Sequence, residues 1–73
     1  MNKPYRIELA SPPDREWLVA GIFFDDSQWA EINQEQGDLE VEFYPRSDGT
    51  AWRMGYHVAV AALQDAMTRL KGQ

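Results

Sequence analysis

The chain has no cysteine, which excludes disulfide staples and thiolate metal sites and fits a reducing intracellular compartment. Histidine occurs once, as His57, and no serine sits in a nucleophile elbow such as G-x-S-x-G, so a Ser-His-acid arrangement has little to build on. The 5 glycines, Gly21, Gly37, Gly49, Gly55 and Gly72, never cluster into a phosphate cradle. No stretch approaches the roughly 20 apolar residues that span a bilayer. The opening MNKPYRIELASPP also lacks the apolar core of a signal peptide. A cytoplasmic protein is the expectation.

Basic residues are missing from the whole middle of the chain. Residues 16–45 carry Glu16, Asp25, Asp26, Glu31, Glu35, Asp38, Glu40 and Glu42 with no Lys or Arg, within a total net charge of −5. Such a section repels polyanions, so neither nucleic acid nor an anionic membrane is an expected partner. Arg15, Arg46 and Arg53 are scattered rather than gathered into a basic strip. Tyr5, Tyr44 and Trp52 therefore make a poor platform for stacking bases.

What is present is an ordinary globular composition, 44% apolar over 73 residues. That length makes one domain, residues 1–73, near the lower limit for a fold without staples. Pro4-Tyr5-Arg6-Ile7-Glu8-Leu9 alternates as a half-buried strand does, and Ser11-Pro12-Pro13-Asp14 stops it. A second strand fits residues 16–25, followed by turn formers Asp25-Asp26-Ser27. Residues 28–35, QWAEINQE, admit a strand or a short helix capped by Ser27 and ended by Gly37. Register favours the strand: a turn at Gln36-Gly37 sets Ala30 opposite Phe43 and Ile32 opposite Val41, so the apolar sides coincide. Leu39-Glu40-Val41-Glu42-Phe43-Tyr44 alternates most clearly, with Leu39, Val41 and Phe43 toward the core, before Pro45 ends it.

The spacing of Tyr56, Ala59, Val60, Leu63, Ala66, Met67 and Leu70 predicts an amphipathic helix over residues 56–71. Asp65 is placed to pair with Arg69 one turn on, and Gly72 is a natural stop. The predicted fold is α+β: an antiparallel three- or four-stranded sheet covered on one face by a C-terminal helix, in the order βββ(β)α.

One helix covers one sheet face, and Leu18-Val19-Ala20-Gly21-Ile22-Phe23-Phe24 is apolar on both. With Leu18, Ala20, Ile22 and Phe24 under the helix, Trp17, Val19 and Phe23 point outward, and Trp29 joins them by alternation. Three uses fit such a face. The 46–55 loop with Trp52 folds across it, or a symmetric homodimer buries it, or another protein docks there. In the docking case Trp17, Val19, Phe23, Trp29 and Tyr44 are the apolar anchors. Glu31, Glu40 and Glu42 orient a basic protein partner.

Chemistry is not indicated. His57 reads as a surface histidine, and Asp25-Asp26-Ser27 lacks the D-x-D-x-D-G spacing and distal glutamate of a calcium loop. Paired carboxylates for glycoside cleavage need a deep cleft that one helix on a small sheet rarely makes. No catalytic residue, cofactor or metal ligand is expected.

The segments YRIELASPPDREWLVAGIFF and QWAEINQEQGDLEVEFYPRSDGTAW, with the closing helix, resemble small uncharacterised bacterial proteins found as stand-alone chains, a resemblance that implies no activity. In size, acidity and architecture the chain also resembles immunity proteins of bacterial toxin systems. That resemblance implies a non-enzymatic inhibitor that blocks a basic toxin through an acidic face, and it transfers no individual residue.

Overall fold

The computed structural model describes residues 3–14, 16–35 and 37–72. Four strands, β1 (Arg6–Ala10), β2 (Val19–Phe24), β3 (Ser27–Asn33) and β4 (Glu40–Phe43), are followed by one helix, α1 (Tyr56–Lys71). The sheet is an antiparallel meander in the order β1-β2-β3-β4. The expected α+β layout is therefore the observed one, and residues 28–33 are extended rather than helical. The 19 Å short axis is what one sheet and one helix layer require.

The β3–β4 register is the one that a turn at residues 36–37 dictates: Ala30 lies opposite Phe43 and Ile32 opposite Val41. Gln36 lies outside the described residues. Gly37 takes φ +93°, a conformation open to glycine, and its N–H donates to the Gln34 carbonyl at 3.1 Å. Between β2 and β3 the turn is only Asp25-Asp26, with Phe24 opposite Ser27. Asp25 sits at φ +54°, which a short polar side chain tolerates better than most.

A β-bulge breaks the alternation of β3. Ile22 pairs with Ala30 but Phe23 pairs with Gln28, leaving Trp29 as the extra residue. Trp29 consequently joins the helix side and is buried with Ile7, Ala20, Ile22, Ala30 and Ile32. This corrects the expectation that Trp29 stands on the outer face. Its ring meets Phe24 edge-on at 5.5 Å, while Phe24 also neighbours Tyr5 and Trp52, each at 6.1 Å.

Trp52 belongs to the same cluster, and its Nε1–H donates to the Tyr44 carbonyl at 2.8 Å. The loop before α1 thus packs on the helix side and does not fold its tryptophan across the outer face.

The helix sits on the sheet along Ala62, Ala66 and Leu70, its three buried residues. Two alanines at the centre of the seam let the backbone come close, while Leu63 and Met67 flank it half-buried. Tyr56, expected in the apolar stripe, is exposed. Asp65 feels the Arg69 charge one turn on but takes its hydrogen bonds elsewhere. It accepts from Lys3 Nζ at 2.7 Å and from the Tyr5 hydroxyl at 3.2 Å. Arg69 instead donates to the Ile7 carbonyl at 3.1 Å. Both residues tie α1 to the β1 side of the sheet.

Candidate protein-binding face

Alternation and register sort the sheet into two faces. On the helix side, Ile7, Ile22, Ala30 and Phe43 form one row across the four strands, and Leu9, Ala20, Ile32 and Val41 form another. On the outer side, Glu8, Gly21, Glu31 and Glu42 form a row, next to one that contains Arg6, Phe23 and Gln28.

The helix does not reach the end of its own face. It packs on β2, then on β1 and β3, and makes no close approach to β4. A helix about 10 Å across covers two to three strands set roughly 4.8 Å apart, not four. The consequence is graded along one row: Ile22 and Ala30 are sealed, while Phe43 is 57% exposed and Val41 beside it is 42% exposed. Leu39, Val41 and Phe43 point to the helix side as expected, yet Val41 and Phe43 are not covered there. All four residues of β4 are exposed.

Between α1 and β4 this leaves an apolar groove of about 230 Å³ lined by Ile32, Leu39, Val41, Leu63, Gln64 and Met67. Trp29, Trp52, Arg53 and Met54 line a second, wider hollow, and the Phe43 ring packs tilted against Trp29 at 5.4 Å.

The outer face keeps Glu8, Glu40 and Glu42 exposed, but Glu31, expected to orient a partner, is buried in the sheet, and the apolar groups fold down. Phe23 lies against Gly21, where a Cβ would come within 3.0 Å of its ring. The Arg6 guanidinium covers it at 4.6 Å. Val19 is buried although its row faces outward. Trp17 is 56% exposed, but it precedes β2. Its N–H and that of Glu16 donate to the Glu35 carboxylate at 3.2 and 3.3 Å. Of the anticipated apolar anchors, Trp17, Phe23 and Tyr44 thus remain at the surface to different degrees, whereas Val19 and Trp29 do not.

Glu31 and Glu42 lie directly opposite each other, an arrangement that like charge disfavours. The Tyr44 hydroxyl bridges them, at 3.4 Å from Glu31 Oε1 and 3.3 Å from Glu42 Oε1. Burial, and then the two negative charges, push its phenol up to about 12. Tyr44 therefore stays a donor throughout the physiological range. The structure brings Glu31, Glu40, Glu42 and Tyr44 together on the β3–β4 half of the outer face.

Strand alternation did not reveal Val41 and Phe43 as surface groups. The signal for them was the count of elements, since four strands outnumber what one helix can roof.

His57 is exposed, with its ring 5.3 Å from that of Tyr56. Among the described residues, no group of three or more His, Asp or Glu could hold a metal ion, and no helix is long and apolar enough to cross a membrane. No family model, no curated protein and no solved structure matches the chain.

Proposed function

We propose that the chain is a non-enzymatic protein-binding module for a basic partner, engaged through the β3–β4 end of the sheet. The observation that carries this reading is β4 itself. It is exposed at every position, with Glu40 and Glu42 on one face and Val41 and Phe43 on the other. Exposed apolar groups supply area that gains free energy when desolvated, and the flanking carboxylates favour a positive partner over an acidic one. The run of eight acids without a base over residues 16–45 supports the same choice of partner. An inhibitor of the immunity type, masking a basic protein, is the most concrete form of this function.

The test is capture from native lysate by the tagged chain and by the Glu40→Lys/Glu42→Lys double variant, at low and high salt. Retention of a set enriched in basic proteins, lost on charge reversal and weakened by salt, supports the reading. Equal capture by both chains, or none, overturns it.

A further inference from the structure

We propose that β4 receives an extended segment of a partner protein as a fifth strand, and that this segment alternates apolar and basic residues. The inference rests on the basic-partner reading above and adds its mode.

β4 is the last strand of the sheet, so among the described residues its main chain is paired on one side only. The Tyr44 N–H donates to the Trp29 carbonyl at 2.9 Å, and these two residues continue the register of Ala30 with Phe43. In an antiparallel ladder the hydrogen-bonded pairs alternate. Glu42 and Glu40 therefore exchange their bonds with Glu31 and Asn33, and the N–H and C=O groups of Val41 and Phe43 point away from the sheet. Edge strands are blunted by short length, charged side chains, proline, a bulge or a covering element; β4 has four residues and two glutamates, whose charge deters an acidic strand but not a basic one. The sequence of β4, EVEF, has no lysine or proline, its pairing with β3 is regular, and the helix stops short of it.

The side chains define what would pair there. A strand laid along β4 presents alternate residues to the two faces. Those on the helix side meet Val41, Phe43 and the groove formed with Leu39, Leu63 and Met67, which accepts apolar groups. Those on the other side stand over Glu40 and Glu42, with Asp38 just before them, where lysine or arginine is favoured and a carboxylate is not. Charge also argues against a second copy of this chain as occupant. A two-fold antiparallel pairing along the whole of β4 sets Glu42 against its own counterpart, or Glu40 against Glu42. Strand addition of this kind draws affinity from main-chain bonds and specificity from alternate side chains.

The probe is a short, end-blocked, fluorescent peptide alternating leucine and lysine, titrated into the full chain by fluorescence polarisation. Saturable binding is expected, with slowed amide exchange at Val41 and Phe43 and at least a tenfold loss when glutamate replaces lysine. Backbone N-methylation gives the decisive comparison. Methylating one alternate set of residues should abolish binding while methylating the other is tolerated, the sensitive set being the leucines for antiparallel addition and the lysines for parallel addition. Val41→Lys, at an exposed position, should weaken binding at least tenfold with its melting temperature little changed.

Equal tolerance of both methylated sets means attachment by charge alone; it overturns strand addition and leaves the basic-partner reading standing. Failure of the parent peptide to bind also overturns strand addition, while the lysate comparison judges the broader reading separately. A dimer in sedimentation that the peptide does not dissociate makes the occupant a second copy and overturns the proposal.

Discussion

Trp29 and Phe43 pack against each other with ring centroids 5.4 Å apart and planes tilted by 58°, yet Trp29 is 8% exposed and Phe43 57%. The boundary of the helix-covered core runs between these two rings. Loss of an aromatic ring should therefore have unequal effects on its two sides. Trp29→Ala removes a ring that touches Phe24 and Phe43 inside the core and should cost about 3–5 kcal/mol. Phe43→Ser should cost about 1 kcal/mol or less, because water already reaches most of that ring. Urea unfolding of both variants checks the contrast. Similar losses would place the boundary elsewhere.

The seam under α1 gives a second contrast. Ala62 and Ala66 are fully buried, so Ala66→Leu forces extra methylenes into the closest approach of helix and sheet and should cost about 1–3 kcal/mol. Leu63 looks into the groove beside β4 and is only half-buried. Leu63→Ala should cost less than the roughly 2–5 kcal/mol of a fully enclosed leucine, whereas Leu70→Ala, 3% exposed, should reach that range. A larger loss for Leu63 than for Leu70 would contradict this orientation of the helix.

These contrasts also mark where the sequence was readable. Periodicity alone places the helix at residues 56–71, and the paired apolar sides of β3 and β4 are enough to set their register. Both patterns repeat over many residues, so one exception does not blur them. Strict alternation puts Trp29 on the wrong face because a single inserted residue reverses facing, and alternation cannot register an insertion. The adjacent apolar pair Trp29-Ala30, inside an otherwise alternating strand, was the available sign of the bulge. The reach of the helix was harder to read, since residue pattern gives the side that a group faces but not how far the neighbouring layer extends. The acidic half of the site was legible for the opposite reason: charge is carried by composition alone, and alternation assigned Glu31, Glu40 and Glu42 to one face.

Tyr44 ties that acidic half together and gives a pH prediction. Its phenol is raised from 10.0 to about 12 by burial and by Glu31 and Glu42. A raised group of this kind contributes stability that is fully present below its unfolded value and is lost as pH rises through the folded one. Stability should therefore hold up to about pH 10 and decline toward about pH 12. Tyr44→Phe should flatten that decline and remove the latest component of the tyrosinate absorbance titration. An unchanged alkaline limb in the variant would show that Tyr44 does not bridge the two carboxylates.

Asp65 provides the opposite limb. The Lys3 ammonium, by its hydrogen bond first and its charge in addition, holds the Asp65 carboxyl below the ordinary aspartate value of 3.8, with the Tyr5 hydroxyl helping and burial opposing. A depressed carboxyl contributes stability above its unfolded value and loses it as pH falls through the folded one. The loss should therefore fall below pH 3.8, on the acid side of the ordinary aspartate titration. Because Asp65 joins α1 to the chain just before β1, Asp65→Asn should lower stability at neutral pH and reduce the further loss on acidification. Lys3→Ala should move the Asp65 titration upward, and an NMR titration of that carboxyl reads the shift directly. An Asp65 that titrates identically with and without Lys3 would leave the link between the first strand and the helix to Tyr5 and to the Arg69 bond with the Ile7 carbonyl.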